Sequence, residues 1–209
     1  TPRRAILVVD DNETNRVWAR RALSSRNFSV TLAESGRQAI EALKGWWLDR
    51  MYTTARPFEE KMTLFWHGHF AVSSQKVKSS WVTYDMNRLL RKHATGNFKA
   101  LTTAVGLCPA MLDYLDNRKS TKNRPNENWA RELMELFTLG EGRYTEQDVK
   151  EAARAFTGWS VDGETGEFVC NLVTWELRHQ MNDSSTAAPR GVNEMEAVGI
   201  AHTPSRMVK

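Results

Sequence analysis

The chain opens on a continuous apolar run, Ala5-Ile6-Leu7-Val8-Val9, that stops at Asp10-Asp11-Asn12. An unbroken apolar run of that length predicts a parallel strand buried on both faces. A helical stretch is expected from about Glu13 to Ser25. Phe28, Val30 and Leu32 then alternate with polar residues and predict a second strand. Ser35-Gly36 turns the chain into a helix bearing Ala39, Ile40 and Leu43. Strand, helix, strand, helix is the opening of a doubly wound sheet.

The texture changes at Gly45. From Trp46 to about Trp159 only helical spacing is found, broken by Gly, Pro and Asn. Pro57 suits a first helical turn, and Phe58, Met62, Phe65 and His69 follow at helical intervals. Met86, Leu89, Leu90 and His93 form a second stripe, and Met111, Leu112 and Leu115 a short third one after Pro109. Pro125-Asn126 opens a helix with Trp129, Leu133, Leu136 and Phe137 on one face, closed by Gly140. Thr145 followed by Asp148 predicts a capped start for a helix packing Val149, Ala152, Ala153 and Phe156.

The pattern fades after about Asn171. Asn182 to Gly191 has a linker's composition, and Val192 to Lys209 has few large apolar residues. This tail is expected to be largely irregular, apart from a short helix around Leu172–Met181. The fold class is therefore mainly α: a helical middle segment, a small and incomplete βαβα piece before it, and a polar tail. The boundaries fall at 1–44, 45–168 and 169–209.

Composition sharpens this division. Of 209 residues, 26% are charged and 41% hydrophobic, ordinary for a folded chain. No apolar run reaches the length of a membrane span, and Asp10-Asp11 breaks the N-terminal run too early for a signal peptide. A cytoplasmic location is the expectation as the chain is written. Cys108 and Cys170 are too few for a disulfide scaffold. The net charge of +4 is spread thinly, with 17 basic against 16 acidic residues in 45–168. That footprint makes nucleic acid an unlikely partner, since such binders concentrate their excess. Six of the eight tryptophans lie in the middle segment, which is where a core is expected.

Ile6-Leu7-Val8-Val9-Asp10-Asp11-Asn12, Asn15-Arg16, Val30, Ala33, Ser35-Gly36, Ala39 and Leu43 resemble the first third of a response-regulator receiver domain. The resemblance implies a doubly wound fold and phosphorelay signalling, with Asp10 and Asp11 matching the acidic pair that holds Mg²⁺. No position matches the phospho-accepting aspartate or the later hydroxyl and lysine. The other reading of Asp10, Asp11 and Asn12 is a charged cap on the next helix. Losing the third strand leaves a two-stranded sheet whose open edge could promote self-association.

From about Trp46 to Phe168 the chain resembles the bacterial family of domains of unknown function 1800. The resemblance is carried by Arg56-Pro57-Phe58 through Trp66-His67-Gly68-His69-Phe70, Gly96-Asn97-Phe98, Pro125 through Phe137, Tyr144-Thr145-Glu146 and Thr157-Gly158-Trp159. It departs at Cys108, where an acidic residue is expected before the proline. The resemblance implies a larger helical protein, often exported, with no established reaction.

Candidate chemistry in that segment is His67 and His69, with Glu127, Arg131 and Glu135 as a polar row. The two histidines could serve a metal-dependent enzyme only if Gly68 broke the helix, because positions two apart point about 200° from each other. Hydrogen-bonded histidines at a helix end are the simpler reading. Glu127, Arg131 and Glu135 recur every four residues and are read first as intrahelical ion pairs. No catalytic residue and no firm cofactor is assigned, and the partners are unknown. Three functions are consistent with the residues: an uncharacterised member of the helical family, a signalling protein with a receiver-like N-terminus, and a non-native chimera of unrelated reading frames.

Overall fold

The computed structural model describes residues 4–162, 168–171 and 207–208. The expected helix at Leu172–Met181 lies outside the described residues, as does the rest of the tail apart from 169–171 and 207–208. β1 (Ala5–Val9) pairs in parallel with β2 (Ser29–Ala33), Leu7 lying opposite Thr31, and α1 (Glu13–Ser24) crosses between them. Asn12 caps α1, its side chain accepting the Thr14 N–H at 2.8 Å. Although its apolar run predicted burial on both faces, β1 is exposed at Ala5 and Val9 and only half-buried between them. No residue of α1 is buried, so this helix gives β1 little cover.

α2 (Gly36–Thr53) starts on the Ser35 cap and runs through Gly45 without a break. Its first half packs on the sheet strands and its second half on the helices that follow. The change of texture at Gly45 is thus a change of packing partner along one helix. A Cβ at Gly45 would meet nothing within 4 Å, so the residue marks an exposed point.

Then come α3 (Pro57–His69), α4 (Ser80–His93), α5 (Phe98–Gly106) and α6 (Pro109–Tyr114). After a 3₁₀ turn at Asn117–Lys119, α7 (Glu127–Glu132) passes into a π-helical segment, Leu133–Thr138. α8 (Glu146–Ala155) follows, capped as expected by Thr145 and Asp148 in a reciprocal box. β3 (Trp159–Val161), β4 (Phe168–Asn171) and β5 (Met207–Val208) make a second small sheet, β3–β4 antiparallel and β4–β5 parallel. Eight α-helices among the described residues bear out the mainly α fold, with its small parallel sheet at the N-terminus.

The core runs from Phe70 to Val161 and centres on Trp129, Met111, Leu112, Leu90 and Phe137. Two expected faces differ from the observed ones. On α3 the buried positions are Glu60 and Thr63, whereas Phe58 and Phe65 are exposed at 66% and 57%. Beyond α7, Leu136 is 60% exposed while Met134 and Phe137 are buried. The π-helical segment explains the second difference: its wider i→i+5 turn rotates every later side chain away from α-helical register.

Candidate functional site

α2, α3 and α4 meet around one carboxylate. Glu60 of α3 is 1% exposed, and an isolated carboxylate at such a depth would be costly. Four donors from the flanking helices hold it. Its Oε1 accepts the Arg50 Nε–H at 2.5 Å and the Arg91 Nε–H at 2.7 Å. Its Oε2 accepts Arg91 Nη2 and Trp47 Nε1, both at 3.0 Å. Spacing places two of these groups together: Trp47 and Arg50 lie three apart on α2 and so share a helix face, with Arg91 reaching the same carboxylate from α4. Burial works to raise the Glu60 pKa, but the bonds from Arg91, Arg50 and Trp47 outweigh it and hold the group down at about 2.

On the solvent side, both guanidinium groups face Trp46, with Arg91 5.5 Å and Arg50 5.9 Å from the ring centre. Tyr84 meets the same ring edge-on at 5.6 Å. Here a groove of about 740 Å³ opens, its walls including Trp46, Tyr84, Arg50, Arg56, Arg88, Arg91 and Lys92 with Glu59 and Asp85. Five permanent cations therefore stand against Glu59, Asp85 and the buried Glu60, an excess of two positive charges. Arg56 pairs with Glu59 and Arg88 with Asp85, both at 3.3 Å. Arg50 spends only its Nε on Glu60 among the described contacts, leaving its terminal nitrogens as donors. His93 lies at the groove wall with its pKa lowered by burial and by Lys92, which favours the neutral ring.

His67 belongs to the inner side of this cluster. Its Nε2 lies 3.2 Å from Asn87 Nδ2, and its ring packs on Trp47 at 4.7 Å. Burial, reinforced by the charge of Arg91, pulls its pKa down to about 4, so the ring is neutral at pH 7. His69 points elsewhere, its Nε2 lying 3.0 Å from the Phe137 carbonyl oxygen. Helix α3 continues through Gly68, and the two histidines serve different neighbours.

The polar row divides in the same way. Arg131 reaches across to Glu146 of α8 by two bonds of 2.7 and 2.8 Å and touches Glu127 at 3.4 Å. Glu135 lies within the π-helical segment and accepts the Tyr144 hydroxyl at 2.5 Å. Arg131 and Glu135 tie α7 and its extension to the segments after them, away from the groove, while Glu127 pairs within its own helix. Burial pushes the Cys108 thiol up to about 11, so it is no nucleophile at neutral pH.

At the C-terminal end of β1, Asp10 accepts the Asn12 N–H at 2.8 Å and Asn15 Nδ2 at 3.2 Å. Arg16 Nη1 donates to the carbonyls of Asp10 and Asp11 at 2.7 and 2.9 Å. Arg16 thus bonds the main-chain oxygens of this acidic turn, and its Nη2 lies 3.9 Å from the Glu34 carboxylate. Among the described residues no group of three His, Cys, Asp or Glu side chains could hold a metal ion.

The sequence reading did not single out Glu60, Arg50, Arg91, Trp46 or Asn87. The available signal was the spacing Trp46-Trp47-x-x-Arg50 with an acid and an arginine on later helices. A family model described as a protein of unknown function, DUF1800, matches residues 6–198. No curated protein and no solved structure matches the chain.

Proposed function

We infer, for a chain that belongs to the DUF1800 family of proteins of unknown function, that its helical segment binds a small oxyanion-bearing ligand in the groove beside Trp46. The observation that supports this reading most is the pair Arg50 and Arg91, held over one indole by a single buried carboxylate. Fixing a guanidinium before the ligand arrives removes most of its ordering cost, and a planar fork suits phosphate or carboxylate oxygens. Lys92 adds an exposed charge at the rim, and Trp46 and Tyr84 offer apolar wall to the rest of the ligand. The volume falls within the range of small-molecule sites. No nucleophile paired with a base stands beside this groove among the described residues, so the reading is binding rather than a reaction.

Calorimetric titration with pyrophosphate tests it. Saturable binding that weakens with added salt is expected, and Lys92→Glu should loosen it about tenfold by reversing a rim charge. Heat that is absent, or equal in Lys92→Glu, sinks the reading.

A second reading takes residues 1–44 as a receiver-like piece that controls the helices. It is favoured by the parallel pairing of β1 with β2 and by two carboxylates at the end of β1, where open α/β sheets gather ligands. Mg²⁺-dependent transfer of the phosphoryl group of acetyl phosphate to a carboxylate of the chain, with acetate leaving, would carry it if Asp10→Ala abolished the label, and an unlabelled chain would end it.

A further inference from the structure

β1 has a partner on one side only among the described residues. The Arg4 carbonyl accepts the Ser29 N–H at 2.9 Å, and the Asp10 N–H donates to the Ala33 carbonyl at 3.1 Å. In a parallel ladder each residue sends both backbone groups to one side, alternating along the strand. Arg4, Ile6, Val8 and Asp10 therefore face β2, while Ala5, Leu7 and Val9 present their N–H and C=O groups to the free edge. Nothing blunts that edge: Ala5 to Val9 holds no charge, no proline and no bulge.

The same stretch is self-complementary when read backwards. Turned about a two-fold axis at Leu7, Leu7 meets Leu7, Ala5 meets Val9, and Arg4 meets Asp10 of the second copy at both ends. The edge groups agree with this register. The pairs at 5/9, 7/7 and 9/5 are those whose backbone groups already point outward, so each can exchange two hydrogen bonds. Arg4 and Asp10 then fall in the closer, non-hydrogen-bonded pairs, where opposite charges on facing side chains stabilise a sheet. A parallel in-register neighbour would instead set Arg4 beside Arg4 and Asp10 beside Asp10. Asp10 keeps acceptor capacity for this contact, since a carboxylate offers about four lone-pair sites and Asn12 and Asn15 do not fill them.

We propose that two copies of this chain pair antiparallel through β1, centred on Leu7, into one four-stranded sheet ordered β2–β1–β1–β2. Closing the edge this way is isologous and leaves no β1 edge for further growth.

Sedimentation of the full chain over a concentration series tests it, together with amide exchange read at single residues. The expected result is a dimer of twice 23.9 kDa in which the Leu7 and Val9 amides exchange slowly and speed up on dilution. Arg4→Glu should loosen the dimer about tenfold, since two symmetric attractive pairs become repulsive. Adding Asp10→Lys to Arg4→Glu should restore it, circular dichroism confirming that both variants fold. A monomer at every concentration overturns the proposal. So does a dimer whose Leu7 and Val9 amides exchange freely, or protection of those amides that ignores dilution, which would assign the edge to another part of the same chain.

Discussion

Glu60 and Arg91 stand 31 positions apart in the chain, yet the Arg91 guanidinium holds the Glu60 carboxylate by two bonds of 2.7 and 3.0 Å. That contact joins α3 to α4, and Arg50 and Trp47 extend it to α2. Removing the carboxylate leaves the Arg91 guanidinium, whose side chain is only 11% exposed, without its counter-ion. Glu60→Ala is therefore expected to cost about 3–5 kcal/mol, read as the loss of urea stability. A cost below about 0.5 kcal/mol would place the pair with ordinary surface ion pairs.

Stability should fall in two stages on acidification. His67 titrates at about 4 in the fold against 6.5 ordinarily, so the unfolded chain takes up the proton first. Its contribution is full above pH 6.5 and is lost as pH falls toward 4. Glu60 titrates at about 2 against 4.5, so its contribution is present above pH 4.5 and is lost as pH falls toward 2. Urea unfolding measured across this range should show both losses. His67→Gln should shrink the first, leaving the part that His93 supplies through its own lowered pKa, and leave the second. An unchanged upper stage in that variant would mean another group titrates there.

The π-helical segment predicts opposite outcomes for adjacent residues. Phe137 packs against Trp129 at 6.1 Å and Phe70 at 5.2 Å, so Phe137→Ala should cost about 3–5 kcal/mol. Leu136 is exposed, and Leu136→Lys should change stability by less than about 0.5 kcal/mol. Thermal unfolding of both variants checks this. A large loss in Leu136→Lys would restore the plain α-helical register.

The local elements were legible in the sequence because each is encoded in a short stretch. Asn12, Ser35 and Thr145 cap the helices that their side chains suggest, and the alternation around Val30 gives β2. The site was not legible, because Glu60 violates the rule that the buried face is apolar. Its burial depends on donors from α2 and α4 that only the tertiary fold assembles. The stripe Phe58, Met62, Phe65, His69 fitted the helical period equally well, but Phe58 and Phe65 face outward while Met62 and His69 are half-buried, so periodicity alone did not pick out the buried side of α3. Leu136 was misplaced for a different reason, since one extra residue in a turn leaves no mark on composition. Glu127, Arg131 and Glu135 were read as one row, yet Glu146 and Tyr144, residues beyond the helix, hold its two later members.

The oxyanion site beside Trp46 is tested most directly by an anomalous difference map from crystals soaked in tungstate, a heavy stand-in for phosphate. The expected peak lies in the groove within hydrogen-bond reach of the terminal nitrogens of Arg50 and of Lys92, with Glu60 still bonded to Arg91. A groove without tungstate, while the ion occupies other basic surface, would contradict the account.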